Sequence, residues 1–526
     1  MAINLNKSMR WLKHSVVISC LVLMVFALVQ CNSKTGKPAA STQDFSPADV
    51  VKGHALAANY CKSCHQLPDP SLLDKKTWGN DLLPVMGTYL GIKRGGGGNL
   101  QSMESDESYL PSQPVVDSAT WAQIKAYYIT KAPERLPAPN RPTPIHQLPI
   151  FDIQPAPVQW ALSKTLASYV KIDESVKPHR MIVCDGLNNK LIILDENGQT
   201  LKSNPIDGPV VDLLFQNSKI TATTIGQNLW ANNFKNGFIK EIAIDKSGTL
   251  TQQPQPIFYK LGRPLSVQIV DLNGDGKKDY LVAQFGKMEG RLSWVEKLPQ
   301  GLKEHVLRDK PGCIKTIITK GKNGPDIWAL FAQGDEGIFH YTNDGKGNFT
   351  ETELISFPPS YGSSSFDLVD FNGDGHKDII YTCGDNGDYS QILKPYHGLY
   401  IYLNDGNDHF SKKYFYPING CYKAIAKDFD GDGDLDIATI SNYPGAGTPW
   451  ESFIYFENKG NFNFQTYTMP VNTPFHNGTT MDVGDIDGDG KPDILLGNGY
   501  FAKDTTRDVK QPLFIVLKNK SKGFRK

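Results

Sequence analysis

At 526 residues the chain exceeds one ordinary domain of roughly 150 residues, unless a single large all-β ring takes up most of it. Lys and Arg total 55, as do Asp and Glu, a balance that argues against nucleic acid and against an electrostatically held membrane surface. Glycine at 48, proline at 34 and 10% aromatic residues favour turns and β-structure over long helices.

Residues 1–30 begin with Lys7, Arg10, Lys13 and His14 and continue into the apolar run 16–29, the charged and apolar halves of an export signal. Leu28-Val29-Gln30-Cys31 ends the run in a pattern that resembles the bacterial lipoprotein lipobox and implies a lipid on Cys31. Gln30 departs from the small residue usual there, and the rival reading is a plain transmembrane anchor. Both place the mature chain outside the cytoplasm. The first makes it a membrane-anchored lipoprotein, expected at the outer membrane on its periplasmic or cell-surface face, with 31–45 as a polar tether.

Ser46-Pro47, with Asp49 close behind, predicts a helix start and a helix running to about Tyr60. It closes on Cys61-Lys62-Ser63-Cys64-His65, where C-x-x-C-H sets two thiols to reach the two vinyl groups of a haem while the imidazole ligates its iron. The alternatives are a zinc half-site, which wants a second C-x-x-C or H-x-H pair that the chain lacks, a thioredoxin-like redox pair, and chance. A second helical stretch is expected from about Asp74 to Ile92, interrupted at Pro84, and a third from Ser118 to about Thr130.

The stretch 46–133 resembles class I cytochromes c, with Gly53 and Tyr60 standing before Cys61 as a helix-contact glycine and a haem-side aromatic do there. The resemblance implies a small all-α cytochrome c domain with one covalent haem c. An electron carrier wants a sixth ligand, and a thioether raises the potential. Met86, in Trp78-x7-Met86-Gly87, is similar to the axial methionine of short monohaem cytochromes c that partner periplasmic dehydrogenases. Met103, just past Gly95-Gly96-Gly97-Gly98, is the alternative, and a non-Met or open site the third. The remaining cysteines, Cys184, Cys313, Cys383 and Cys421, are either disulfides of undetermined pairing or buried free thiols. A proline-dense run then predicts a stiff, extended connector over 134–158, holding the haem at a restricted distance from the C-terminal part of the chain.

The rest of the chain repeats. Asp271, Asn273, Asp275, Lys277 and Asp279 occupy a D-x-[DN]-G-D-G-x-x-D loop, as do Asp370, Asn372, Asp374, His376 and Asp378. So do Asp428, Asp430, Asp432, Asp434 and Asp436, and again Asp485, Asp487, Asp489, Lys491 and Asp493. Side-chain oxygens at positions 1, 3, 5 and 9 and the backbone carbonyl of position 7 make an oxygen cage suited to Ca²⁺, about four ions in all. An EF-hand would need glutamate at position 12, where Val282, Tyr381, Thr439 and Leu496 stand. Each loop runs instead into a short β-rich apolar segment. The repeats resemble the FG-GAP or VCBS repeats of integrin-α-type β-propellers, which implies a mainly β chain with a propeller over 159–526.

Loop starts at 271, 370, 428 and 485 leave one gap nearly double the others, so a degenerate repeat is expected around 317–330. Strand groups near 180–194 and 209–223 bring the count to about seven blades, with six or eight also allowed. Between blades, Asp388, Lys394, Tyr396 and His397 are candidates for a ligand or catalytic pocket, with His476 a second candidate; all could equally be loop residues bonded between blades. As a whole the chain resembles the cytochrome-fused FG-GAP/VCBS repeat proteins of bacteria. That implies electron transfer to a redox partner protein, with the ring as a docking or substrate-recognition module. The rivals are a propeller enzyme, either a dehydrogenase passing electrons to its own haem or a carbohydrate-active enzyme, and a surface glycan-binding or adhesion module. No recognisable quinone- or nucleotide-binding motif supports the enzyme reading.

Overall fold

In the computed structural model, which describes residues 45–92, 109–216, 218–227, 229, 232–252, 255–385, 392–501 and 510–523, the first element is α1, Pro47–Tyr60. It turns Val50, Gly53 and Ala57 inward. A single turn, Lys75–Thr77, is capped by Asp74, whose carboxylate accepts from the Thr77 N–H at 2.7 Å. It widens into a π-helical turn, Trp78–Leu82, and continues as α2, Leu83–Tyr89. The interruption expected at Pro84 therefore comes one turn early. Proline has no N–H to give and its ring crowds the turn before it, so the preceding turn opens and the helix carries on. Asp117 caps α3, Ser118–Lys131, accepting from the Thr120 N–H at 2.7 Å.

α1 and α3 cross at Gly53, where a Cβ would collide with the carbonyl oxygen of Gln123 and come within 3.0 Å of Tyr127 Cβ. Ala57, Trp78, Leu83, Trp121, Ile124 and Tyr128 fill the space between the helices. Trp78 is anchored by its indole N–H, which donates to the Pro70 carbonyl at 2.8 Å. No helix among the described residues is long and apolar enough to cross a membrane. The proposed lipid site Cys31 lies outside the described residues, as do Met103 and Asp388.

The remainder is mainly β, in antiparallel groups of about four strands that each begin on an innermost strand. In chain order these strands are β1 Lys164–Asp173, β2 Val210–Gln216, β3 Pro264–Val270, β4 Cys313–Lys320, β5 Ser363–Val369, β6 Cys421–Lys427 and β7 Gly478–Gly484. Each touches the next, and β7 touches β1, a β-propeller-like succession. Polar side chains on these strands reach the neighbouring backbone. The Ser168 hydroxyl donates to Val210 O at 2.6 Å, Lys315 to Phe366 O at 2.6 Å, Ser364 to Cys421 O at 2.9 Å and Lys423 to Met481 O at 2.8 Å. Asp212 accepts from Val267 N at 3.1 Å and Asp482 from Ile172 N at 2.8 Å. Most of the charge on the inner strands thus stitches one group to the next.

Both chain ends enter the last group. Phe151–Pro155 pairs with Phe514–Asn519, and the tail of Asp493–Phe501 pairs with the start of β1, joining the last and first groups into one eight-stranded sheet. Strand Phe151–Pro155 falls inside the segment read as a linker, and the residues before it are also docked. Ile145 donates to Thr466 O at 2.9 Å and accepts from Thr468 N at 2.8 Å, while Arg141 pairs with Glu451 and donates to the Tyr416 hydroxyl at 3.1 Å. Prolines suit such an edge, which needs few N–H donors of its own. Cys184, Cys313, Cys383 and Cys421 are buried free thiols, and burial holds each well above the ordinary thiol value. Residues 47–526 form one compact unit.

Candidate functional site

α1 ends in the tight turn Cys61–Ser63, which places Cys61 half-buried, Cys64 exposed and His65 half-buried along one cavity. Met86, on α2, lines the same cavity, and Leu83, Leu90, Trp121 and Tyr128 give it apolar walls. His65 Nδ1 donates to the Gln66 carbonyl at 2.7 Å; a carbonyl only accepts, so the lone pair is left on Nε2. Burial first, and Cys64 second, push the Cys61 thiol up to about 11. Two thiols, an imidazole with a free Nε2, a thioether and apolar aromatic walls on one cavity fit a covalently held haem. Gly53 makes the close helix crossing expected of it.

The cavity does not stop at the helices. Its volume of about 2800 Å³ continues to the inner strands of the β-structure. The seam is polar and specific: the Tyr396 hydroxyl donates to Leu72 O at 2.9 Å and accepts from the Ser360 hydroxyl at 3.1 Å, the Gln66 amide meets the Ser356 hydroxyl, and Ile392 packs on the helical core. Gly334 lies against the C-x-x-C-H turn, where a Cβ would sit 3.9 Å from Cys64 O. Two residues on, Glu336 is 2% exposed and lines the cavity. Its carboxylate accepts from the N–H groups of Gly362 and Ser363 at 3.2 Å each and from the Ser363 hydroxyl at 2.7 Å. That hydroxyl lies 2.6 Å from Tyr381 OH. Burial is the main cause that pushes the Glu336 carboxyl up to about 8, with Asp385 adding to it.

The candidates between blades separate. Lys394 is 4% exposed and lines the cavity. Tyr396 is a seam residue, and its phenol is held well above the ordinary value by burial. His397 is fully buried beside Ser360, and burial first, then Lys394, lower its pKa to about 3, so it stays neutral. His476 lines the cavity next to Tyr500, with ring centroids 5.3 Å apart. Glu336 and the inner-strand residues Asp212, Lys315 and Lys423 carry no motif and were not foreseen from the sequence.

In the four acidic loops the first aspartate accepts from the backbone N–H groups of positions 4 and 6, as Asp271 does from Gly274 and Gly276 at 2.8 Å each. Asp428, Asp430 and Asp432 bring carboxylate oxygens within 4.8 Å of one another, as do Asp485, Asp487 and Asp493. The position-7 side chains of two loops turn outward: Lys277 and Lys491 reach the position-5 carboxylates at 3.4 and 2.8 Å. Position 9 is buried and also builds the hairpin. Asp378, Asp436 and Asp493 accept from the N–H of Phe371, Phe429 and Ile486 and from that of Asn404, Asn458 and Asn519. Burial, with Asp430 adding to it, pushes Asp436 up to about 7.

Those asparagines are a second repeat signal. Asn343, Asn404, Asn458 and Asn519 each end a strand and donate through Nδ2 to the carbonyl before the ninth aspartate, at 3.0, 3.2, 3.0 and 3.0 Å. Asn343 does so opposite Asp326, in the degenerate repeat expected around 317–330. The period of these asparagines was there to be read in the sequence.

Comparison with known proteins agrees with the repeats: residues 323–381 and 428–496 match the FG-GAP-like repeat. Mouse cartilage acidic protein 1 is 26% identical over 280 residues, which cover 49% of this chain and 41% of that protein. The chain thus spans about two fifths of that relative's length. Among solved structures, an ancestral GH74 enzyme aligns with a TM-score of 0.43 at 10% identity, covering 69% of this chain and 49% of that one. A putative 6-phosphogluconolactonase from Bacteroides uniformis aligns with a TM-score of 0.38 at 13% identity, covering 58% and 85%.

Proposed function

We propose that the chain is an exported electron-transfer protein in which Cys61 and Cys64 would hold one haem c, with His65 and Met86 the residues that would ligate its iron. It stands against a seven-bladed propeller whose four acidic loops take Ca²⁺. The observation that carries this reading is the convergence of C-x-x-C-H and Met86 on a single aromatic-walled cavity. A bound haem would supply one-electron chemistry. The chain's own contribution is to fix it: the Gln66 carbonyl orients His65, and Leu83, Trp121 and Tyr128 give the Met86 side apolar walls. In the calcium loops the side chains of positions 1, 3, 5 and 9 would hold the ion, in an oxygen-only cage suited to rigidifying hairpins. A signal over 1–30, a lipid on Cys31, a cytochrome segment over 46–133 and a docked connector complete the reading. The membrane is reached through that lipid, and the electrons pass to a periplasmic or surface redox protein.

The test is spectral. The purified exported protein should show a c-type haemochrome, and its ferric form the optical band of sulfur bound to iron. Met86→Ala should abolish that band while the haem stays attached; a retained band refutes the axial assignment, and a haem-free wild-type protein refutes the function. The continuity of the haem cleft with the ring favours a second reading, an enzyme that loads its own haem. Reduction of the ferric protein by a small molecule without an added partner protein would decide for it.

A further inference from the structure

We infer that the ring-side half of the shared cavity is a binding site for a neutral polyhydroxylated ligand, a mono- or disaccharide, seated between the haem-attachment turn and the inner strands. The inference deepens the haem reading and rests on it.

Size is the first argument. Small-molecule pockets occupy roughly 300–1,000 Å³, and this cavity of about 2800 Å³ extends well past the helical walls that would enclose a haem. Its far wall is aromatic. Tyr422, the second residue of β6, is 37% exposed although it belongs to an innermost strand, and it faces the cavity with Tyr443 and Tyr500. Flat rings that present an apolar face and a polar tip suit the apolar C–H face of a sugar.

The polar groups around those rings are amides and hydroxyls. Asn442, Gln268 and Thr480 line the same cavity. Thr316 on β4, 3% exposed, lines the cavity as well.

Charge decides the class. Six Lys and Arg side chains and five Asp and Glu side chains line the whole cavity, so no large excess of either sign is available to an ionic ligand. Several of them are committed to the scaffold: Lys315 and Lys423 donate to backbone carbonyls of the next strand, Asp212 accepts a backbone N–H, and Glu336 is clamped by Gly362 and Ser363. A lining of tyrosine faces, amides and hydroxyls with nearly balanced charge selects hydrogen-bonding groups without net charge.

The experiment is calorimetric titration of the full-length holoprotein with glucose, galactose, maltose and cellobiose, and with gluconate and glucosamine as charged counterparts. At least one neutral sugar should bind. Tyr422→Ala should weaken it about tenfold or more, with the haem spectrum and melting temperature unchanged; Asn442→Ala, which keeps the backbone carbonyl that Asn477 uses, serves if the tyrosine variant does not fold. The inference is overturned if no neutral sugar binds at about 10 mM, if a charged counterpart binds more tightly, or if the folded variant binds as wild type does. Haem content is read separately by haemochrome, so a haem-loaded protein that ignores sugars sinks only this inference, and a haem-free one sinks the electron-transfer function.

Discussion

Glu336 offers a test of the seam that depends on one proton. In the unfolded chain its carboxyl titrates at its ordinary 4.5; in the folded chain burial, with Asp385 adding to it, holds it up to about 8. Below pH 4.5 both states carry the proton and the residue costs nothing. Between 4.5 and about 8 the unfolded chain has released it and the folded chain keeps it. Stability therefore falls with rising pH by up to about 1.4 kcal/mol per pH unit, about 5 kcal/mol over the interval as an upper bound. Glu336→Gln has no proton to lose. At pH 5 it should be less stable than wild type by about 1–2 kcal/mol, because its amide NH₂ faces the N–H of Gly362 or Ser363 and leaves one donor unpaired. By pH 9 the order should reverse. Guanidinium midpoints measured from pH 5 to 9, in saturating Ca²⁺ so that the acidic loops stay fixed, read the difference directly. Two parallel curves, with the gap between wild type and variant constant across that range, would refute the placement of a neutral carboxyl at the cavity wall.

Three further outcomes are expected. Gly53→Ala should push α1 off α3 at Gln123 and cost about 1–3 kcal/mol, seen as a lower melting temperature of the haem absorption; an unchanged melt contradicts the close crossing. Removing Ca²⁺ with a chelator should lower the melting temperature, since a site saturated a hundredfold above its Kd contributes about 3 kcal/mol. Asp428→Ala and Asp485→Ala should each reduce that response, and a chelator with no effect would show that the loops stand without the ion. Tyr396→Phe should lose the bonds to Leu72 and Ser360, about 1–2 kcal/mol in all. Hydrogen exchange should then quicken around 64–74 while the inner strands keep their protection; equal quickening throughout would mean that the tyrosine holds up the ring rather than the seam.

What was legible in the sequence was local. C-x-x-C-H, the helix starts near Asp74 and Ser118 and the loops after Asp271, Asp370, Asp428 and Asp485 each lie within about a dozen residues, where spacing alone dictates geometry. The degenerate repeat was found because the fold demands a period even where the ligands are lost, and Asp326 kept its place. Edges were misread for a physical reason. A proline-dense stretch looks like a free connector, yet strand Phe151–Pro155 needs donors only on the side facing Phe514–Asn519. The turn in α2 was misplaced because proline strains the residues before it rather than its own position. The seam could not be read, since Tyr396 meets Leu72 across 324 residues and Gln66 meets Ser356 across 290.

That seam bears on how the molecule can work. A shuttle that carries electrons between freely diffusing partners needs its haem edge open to solvent, and Cys64, exposed at the attachment turn, leaves such a side. The Met86 side is different: it looks into a cavity that runs on to Tyr422 and Glu336, lined by side chains of the same chain. A small molecule fits within it. On the proposed haem reading the two faces of the cleft would take two different visitors, a protein at the exposed thiol and a small ligand at the ring. Electrons would then enter from the ring and leave at the surface. Two outcomes test this path. If a bound sugar changes the rate at which an external protein oxidises the haem without competing for the same surface, the two faces act in series. If sugar and partner exclude one another, they share one entrance and the ring is only a wall.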